Sequence, residues 1–301
     1  MVLKSVGRRA LATAFLGAVA AGVVAIGAVI AADLPPQQLP PSAPAAYIPA
    51  VPDWTVSVGI EARVLPQWPG ASDHKFGVSV LPLFNIRNQG TPPIFFGPRD
   101  SFGFGILNFS QLRIGPAILF VGDRPAQNYK ELYGLGSVNY AAQVGIFADF
   151  WAVPWLRLRG EVRQGIGGET GVTGDIFLDA IVPVGQWVLS AGPRVTLQTT
   201  AAVGPYFTIT QAQAAGTVAA APTSGLVPLL PYHASGGLYS YGAGTKVQYA
   251  FSQQWSAHGF VEYQRLTGSV ADSPIVTVRG SPNQFIYGVG ATYSFNTHPW
   301  W

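Results

Sequence analysis

The chain contains no cysteine, which excludes a disulfide framework and any thiolate metal site. Only 10% of its residues are charged, against about a quarter in ordinary globular domains. The formal charge of +3 is small, and no basic cluster is interleaved with aromatics, so the sequence indicates no nucleic-acid partner. Beyond residue 32, no apolar run is long enough for a membrane-spanning helix.

What the sequence does contain is glycine, 36 of 301 residues, and aromatic residues, 12% of the chain. Abundant glycine and aromatics, few charges and no helical span are typical of a transmembrane β-barrel. The main alternative on composition alone is a secreted all-β domain.

The N-terminal region divides into two segments before the folded part begins. Residues 1–32 have a basic start, an apolar run and small residues at the end, which is the layout of a cleaved secretory signal peptide. A retained membrane anchor is the alternative. Residues 33–53 contain seven prolines and predict an extended, polyproline-like periplasmic arm. This arm is either a flexible spacer or a tether for a partner, and the barrel is expected over residues 54–301.

Strict alternation of residue character is the main structural signal. In Gln284–Phe295 one parity carries Phe285, Tyr287, Val289 and further apolar residues, while the other carries small and polar ones. A period of two places these sets on opposite faces of a β-strand. In a transmembrane barrel the apolar face meets lipid and the polar face meets the lumen. The same pattern recurs at Trp54–Val64 and near 76–80, 142–150, 156–163, 187–197, 241–251 and 255–263.

Four weaker segments bring the predicted number of strands to about twelve. They are Ile94–Leu107, Gln111–Val121, Thr173–Val182 and Tyr206–Gln213. An even number suits a single-chain barrel with both termini in the periplasm, although ten or fourteen strands fit the pattern as well. With these twelve strands the connections near 65–74, 214–234 and 267–282 fall on one side of the membrane. The long connection 122–137 then falls on the other side, where short turns are expected.

Charged residues sort onto the polar parity of these strands. A lipid-facing Arg or Lys at mid-bilayer costs roughly 2–4 kcal/mol, so we expect these side chains to face the lumen and to pair with one another. Two interpretations stay open: a charged channel that filters ions, or interlocking pairs that plug the barrel. The predicted lumen-facing residues are Glu61, Arg63, Asp149, Arg157, Arg159, Glu161, Arg163, Arg194, Lys246 and Glu262.

The sequence predicts no catalytic, cofactor or metal site. Ser256, His258 and Glu262 share one strand face, but a serine two residues from a histidine stands about 7 Å away along a strand, outside hydrogen-bond reach. The histidines are scattered without metal-ligand spacing. The protein is therefore not expected to be an enzyme.

Several stretches of residues 54–295 together resemble the MipA/OmpV family of Gram-negative outer-membrane proteins. No single stretch is decisive, but their order and spacing are specific. The Pro-rich arm, residues 85–110 and the six-residue tail depart from the family pattern. The resembling stretches are Pro69–Asp73, Gly115–Ala117, Gly134–Gly136, Leu156–Gly165, Ser190–Arg194, Tyr206–Gln213, Tyr232, Gly236–Leu238, Arg265–Leu266, Asp272–Val276 and Gly280–Phe285.

The resemblance implies a barrel in the cell outer membrane, surrounded by outer-membrane lipid. It also implies a scaffold that brings a lytic murein transglycosylase together with a murein synthase, and it identifies no residue that grips either enzyme. A small-solute pore is the alternative, and a surface adhesin that uses the 214–234 and 267–282 loops is another.

Overall fold

The computed structural model describes residues 54–85, 97 and 99–297. The predicted signal peptide, residues 1–32, and the Pro-rich arm, residues 33–53, lie outside the described residues. Within the described part of the chain, no helix combines the length and apolar character needed to cross a membrane.

The described chain is dominated by one antiparallel sheet of twelve strands, so the predicted all-β class and strand number are confirmed. Ten strands are long, and β3 and β4 are two-residue strands that pair with successive stretches of β5. The strands are β1 Trp54–Pro66, β2 His74–Asn85, β3 Phe102–Gly103, β4 Leu107–Asn108, β5 Leu112–Val121, β6 Ala141–Val153, β7 Leu156–Gly167, β8 Val172–Val184, β9 Trp187–Gln198, β10 Gly237–Ala250, β11 Trp255–Leu266 and β12 Asn283–Thr297.

The strand order is β2-β1-β12-β11-β10-β9-β8-β7-β6-β5-β3. Trp54 of β1 pairs with Thr297 of β12, so both ends of the described chain lie at one end of the sheet, here called the terminus end. Eight antiparallel steps separate β1 from β5, and these two strands therefore run in the same direction. Because β2 is antiparallel to β1 and β3 to β5, the two edge strands also share a direction. Among the described residues no ladder joins them.

The burial pattern is inverted relative to a soluble protein. On β7, for example, Arg157, Arg159, Glu161 and Arg163 are buried, whereas Leu158 is exposed. A single-layer sheet can bury one complete polar face only by curling around it, because no second layer covers that face. The polar parity therefore lines the interior of the barrel wall, and the apolar parity forms its outer surface.

Aromatic residues on the outer surface form two groups at different heights. Near the terminus end, the ring of Trp187 lies 4.6 Å from that of Tyr249, and the ring of Trp255 lies 4.9 Å from that of Tyr293. At the opposite end, the ring of Tyr263 lies 5.0 Å from that of Phe285. Aromatic girdles at two heights around an apolar band are typical of transmembrane barrels.

The end opposite the termini carries five connections, which we call the cap: residues 67–73, 122–140, 168–171, 199–236 and 267–282. Buried residues of all of these connections except 168–171 form two hydrophobic clusters; one includes Trp68, Leu132 and Leu229, and the other includes Phe207 and Val276. The cap contains two 3₁₀ turns, Ala126–Asn128 and Lys130–Leu132, and the helices α1 Thr200–Phe207, α2 Gln211–Ser224, α3 Gly268–Ala271 and α4 Pro274–Thr277.

Two of the weaker strand predictions are wrong in detail. Tyr206–Gln213 is not a strand: α1 ends at Phe207, Ile209 forms only an isolated bridge with Tyr232, and α2 begins at Gln211. Thr210 and Gln213 form the capping box that starts α2, in which Gln213 N donates to Thr210 Oγ1 at 3.2 Å and Thr210 N donates to Gln213 Oε1 at 2.8 Å. The segment predicted as one strand at Ile94–Leu107 contains only β3 and the first residue of β4 among its described residues.

These two differences correct the predicted placement of the connections. Without a strand at 206–213, and with β3 and β4 directed toward the terminus end, connection 122–140 lies at the cap end with the other long connections. The turns at the terminus end are short, as between Val153 and Leu156 or Val184 and Trp187. The long connection on the short-turn side, expected from the sequence, is therefore absent from the described chain.

Candidate functional site

The most distinctive group of polar residues is a set of ion pairs inside the sheet, which we call the charge network. It contains six arginines and six carboxylates, and its formal charge is therefore zero. Each member is joined to at least one other within 4.0 Å. The members are Arg99, Asp100, Arg113, Asp149, Arg157, Arg159, Glu161, Arg163, Asp175, Asp179, Arg194 and Glu262.

Arg157 lies at the centre of the network and is 0% exposed. Its guanidinium lies 2.5 Å from Asp179 and 2.8 Å from Asp100, and Asp149 is 3.7 Å away. Three carboxylates thus surround one buried cation. Such an arrangement offsets the cost of burial only if the surrounding groups hold their positions.

The β7 strand continues the network toward the cap. Arg159 donates to Glu161 at 2.5 Å and to Asp149 at 3.0 Å. Arg163 forms short ion pairs with Glu161 and with Asp175. Because residues i and i+2 share a face of a strand, Arg159, Glu161 and Arg163 alternate in charge along the wall.

Residues 97 and 99–101, from the connection between β2 and β3, contact the interior side chains of several strands. Arg99 donates to Glu262 of β11 at 3.0 Å and to Thr196 of β9 at 2.9 Å. The neighbouring Asp100 accepts from Arg157 of β7 at 2.8 Å. The segment thus links side chains of β7, β8, β9 and β11 on the inner face of the sheet. The arginines Arg157 and Arg159 hold the pKa of Asp100 below its usual range, despite the burial that opposes this shift.

Aromatic rings on the inner face separate the arginines. The guanidinium of Arg159 lies 4.2 Å from the ring centre of Phe147, and that of Arg194 lies 5.1 Å from the ring of Phe177. Both rings are almost fully buried. These cation–π contacts fill space that would otherwise admit water between the charges.

A second, smaller group lies toward the β1 side of the wall. Glu61 Oε1 is 2.8 Å from Arg63, and Glu61 Oε2 is 2.9 Å from His258 Nε2. Lys246 lies on the inner face of β10 and is half-buried. Of the ten residues predicted from the sequence, seven therefore belong to the charge network, whereas Glu61, Arg63 and Lys246 lie outside it.

Five members of the network did not appear among the predicted residues. Arg113, Asp175 and Asp179 occupy the polar parity of two segments already predicted as weak strands, so the alternation test could have found them. Arg99 and Asp100 come from a non-strand segment, and no periodic signal marks them. The alternation also left the individual pairs open: Glu262 pairs with Arg99, and Glu61 pairs with Arg63 and His258.

Ser256 and His258 do not interact with each other as a nucleophile and base. The Ser256 hydroxyl lies 3.4 Å from Gln248 Nε2, which donates to it, and the His258 ring contacts Glu61. The observed contacts give Ser256 no activating base.

The cap covers the end of the interior above the network. Arg124 Nη1 donates to the carbonyl oxygen of Tyr206 at 2.6 Å and thereby ties connection 122–140 to α1. Burial lowers the pKa of Arg124 to about 10, so the guanidinium stays charged at neutral pH. Arg279 donates to the carbonyl oxygens of Glu131 and Val227. These links cross-connect the cap segments.

The segments that carry the family resemblance meet in the cap. Gly70 N donates to Gln284 Oε1 at 3.1 Å, and Ser281 N donates to the carbonyl oxygen of Gly70 at 2.8 Å. A Cβ at Gly280 would collide with that same oxygen. Glycine at position 280 is thus required by the close approach of two connections that are distant in sequence.

The sequence profile of the family described as "MltA-interacting protein MipA" matches residues 58–295. The chain belongs to the MipA family. Together with the apolar outer surface and the aromatic girdles, family membership assigns this MipA-family chain to the outer membrane as a β-barrel protein. No curated protein matches the chain.

Solved outer-membrane proteins resemble the chain only distantly. The NanC porin is 9% identical, with 80% of this chain and 98% of that chain covered and a TM-score of 0.37. An outer-membrane channel from Pseudomonas putida F1 is 8% identical, with 85% and 100% covered and a TM-score of 0.39. OprG from Pseudomonas aeruginosa is 9% identical, with 82% and 98% covered and a TM-score of 0.26. With TM-scores this low, these similarities decide nothing about function.

Proposed function

We propose that this MipA-family protein is a non-catalytic outer-membrane scaffold that links a lytic murein transglycosylase to a murein synthase. The family description itself refers to interaction with MltA. The observation that carries the proposal is the neutral charge network, in which arginines and carboxylates satisfy one another inside the barrel. A wall braced in this way suits a rigid anchor better than a channel.

The ten predicted lumen-facing residues have a structural role in this proposal. Arg157 and Arg159 each contact three carboxylates within 4.0 Å, so a permeating ion would have to compete with bonds already made. Ion-selective channels instead need charged groups whose binding to the ion is weak enough to allow release. The plugged interior is therefore the better supported of the two interpretations.

Partners of the scaffold would bind at the terminus end. The turns there are short, and the Pro-rich arm, residues 33–53, precedes β1 at that end. Proline-rich segments present an extended backbone at low entropic cost, which favours recognition by a partner domain. Murein enzymes act in the periplasm, where the termini of outer-membrane barrels lie.

A pull-down from solubilised envelopes tests the scaffold. The mature chain should recover a transglycosylase and a synthase, and a variant lacking residues 33–53 should recover less of both. The matched control is Lys130→Gln, which removes an exposed cation of the cap without touching the terminus end. Recovery of neither enzyme above the level of an empty support would refute the scaffold role.

Planar-bilayer recording tests the plug separately. The unmodified protein should give absent or sporadic conductance, because the network and the cap obstruct the interior. Steady ohmic steps would contradict this and favour the small-solute pore.

A surface adhesin is the second candidate, and one observation favours it. Connection 199–236 contains no Asp, Glu, Lys or Arg, and within it Val227 is 70% and Leu230 is 76% exposed. Apolar side chains presented this way are suited to contact another surface. If the protein is an adhesin, Val227→Ser with Leu230→Ser should abolish binding of whole cells to their target while leaving the murein pull-down unchanged.

A further inference from the structure

One charged residue stands apart from the rule that charges face the interior. Arg265, near the cap end of β11, is at an outward position and is exposed. It is the only Asp, Glu, Lys or Arg at an outward position of the ten long strands in the described part of the chain. Its Nη1 donates to Asn283 Oδ1 at 2.8 Å, and no carboxylate of the described residues lies within ion-pair distance of it.

The surroundings of Arg265 are those of a membrane boundary. Tyr263 precedes it on the same face, and the Tyr263 hydroxyl donates to the same Asn283 oxygen at 2.8 Å. Tyr241 of β10 is its neighbour across the strand pair. Tyrosine rings with their hydroxyls toward water mark the interface of a bilayer, so Arg265 lies at the level of lipid headgroups.

Below this polar cluster the outer surface is concave. A groove of about 570 Å³ crosses β10, β11, β12 and β1. Gly259 leaves a gap between Val247 and Val289, its partners on the neighbouring strands, and Val261 and Tyr287 line the next row toward Arg265. The floor is formed by a residue without a side chain, so the depression is part of the sheet itself.

Groove and cation are aligned along one strand. Gly259, Val261, Tyr263 and Arg265 follow each other on the outer face of β11. Six residues of an antiparallel strand span roughly 20 Å, and a strand tilted by about 45° covers less depth than that. The groove therefore lies within the leaflet whose headgroups Arg265 reaches, since half of the hydrocarbon core is about 15 Å thick.

We propose that this surface binds a lipid with a phosphate headgroup, whose phosphate contacts Arg265 and whose acyl chain fills the groove over Gly259. A guanidinium binds phosphate through two parallel N–H···O bonds, and Arg265 donates to only a neutral amide oxygen in the observed structure. The lining of the groove is mostly apolar and offers an acyl chain contact on both sides. Because Arg265 lies at the cap end, opposite the termini, the lipid belongs to the outer leaflet.

The purified full-length mature protein in detergent can be titrated with diphosphoryl lipid A and the bound lipid counted by native mass spectrometry. Arg265→Gln should weaken binding roughly tenfold or more, because a charged hydrogen bond to phosphate is lost. Gly259→Leu should weaken it by occluding the groove. Dephosphorylated lipid A should bind the unmodified protein as weakly as diphosphoryl lipid A binds Arg265→Gln.

Two variants serve as matched controls, and both should bind like the unmodified protein. Lys130→Gln removes an exposed cation of the cap, and Ala191→Leu places a leucine, as Gly259→Leu does, but at an exposed outward position of β9. Heat-modifiable gel mobility reports whether each variant is folded. If Gly259→Leu fails to fold, Arg265→Gln alone tests the proposal.

Three results would overturn the proposal. If Arg265→Gln binds diphosphoryl lipid A as well as the unmodified protein does, Arg265 does not bind the phosphate and only extends into water at the interface. Equal binding of dephosphorylated lipid A would remove the role of the phosphate. An equal loss in Ala191→Leu would show that any bulk on the outer surface disturbs lipid, without a specific groove.

Discussion

The consequences of removing Arg157 follow directly from its surroundings. The side chain is 0% exposed and contacts Asp100, Asp149 and Asp179. In Arg157→Ala these carboxylates lose a shared cation, while the space left behind is too enclosed to restore full hydration. Removing one partner of a buried ion pair costs roughly 3–5 kcal/mol.

The lower end of that range is expected here, because each carboxylate keeps another partner. Asp179 retains Arg194 at 2.5 Å and Asp149 retains Arg159 at 3.0 Å. Asp100 retains the backbone N–H of Gly97 at 2.8 Å, but its remaining cation, Arg159, is 4.0 Å away. Asp100 is therefore the carboxylate most affected by the loss of Arg157. We expect the free energy of unfolding to fall by about 3 kcal/mol.

The assay is urea unfolding of the protein in lipid vesicles, followed by tryptophan fluorescence. The control Lys130→Ala removes an exposed cation of the cap and should change the unfolding free energy by no more than about 0.5 kcal/mol. In the double variant Arg157→Ala with Asp100→Asn the least compensated carboxylate is neutral, so part of the lost stability should return. Residues in one ion-pair network typically couple by about 0.5–3 kcal/mol in such a cycle.

A small effect would refute the reasoning. If Arg157→Ala unfolds within about 0.5 kcal/mol of the unmodified protein, the network is hydrated and the plugged interior is wrong. Under the open-channel interpretation the same variant would show changed ion selectivity with little loss of stability.

Three further predictions concern the cap and the wall. Burial raises the pKa of Glu169 above its ordinary 4.5. The stability that Glu169 contributes is therefore complete below pH 4.5 and is lost as the pH rises through the raised pKa of the folded state. The unfolding free energy of Glu169→Gln, measured across pH 4–8, should lack this decline, and a pH profile identical to that of the unmodified protein would contradict the prediction. Gly280→Ala should lower stability by roughly 1–3 kcal/mol, because the added Cβ would collide with the backbone oxygen of Gly70. Protease added to whole cells should then cleave the cap faster, and a cap that resists cleavage as well as in the unmodified protein would contradict this. A cysteine at Leu158 should react with lipid-phase probes and one at Arg159 should not; the reverse labelling would shift the register by one residue.

The packing of the cap limits where other molecules can contact the protein. Four of its five connections share two hydrophobic clusters, and Arg124 and Arg279 cross-link segments of the cap. A cap with its own core resists the opening motions that an extracellular entrance would require. Contacts with other molecules are therefore expected on the surface of the cap, on the lipid-facing wall and at the terminus end.

The sequence by itself determined the ten long strands and their faces. Alternation at Trp54–Val64 and Gln284–Phe295 is a local property, because the pleat of a strand sends successive side chains to opposite sides whatever the strand pairs with. For the same reason the sequence could assign Arg157 and Arg163 to the polar parity without knowledge of the fold. By simple absence it could also exclude disulfides and, beyond residue 32, helical spans.

Only the tertiary structure decided which charges meet. The parity of a residue in a strand assigns its side chain to a face of the sheet but does not identify the residue that it contacts. Arg99 and Glu262 are 163 positions apart in the chain. Their contact depends on the curl of the sheet and on the entry of residues 99–101 into its interior. The helices at 200–224 were missed because a short apolar run with alternation fits strand and helix equally well, and packing within the cap selects the helix. The groove beside Gly259 likewise depends on which strands are neighbours, since a missing side chain forms a depression only where larger residues of adjacent strands surround it.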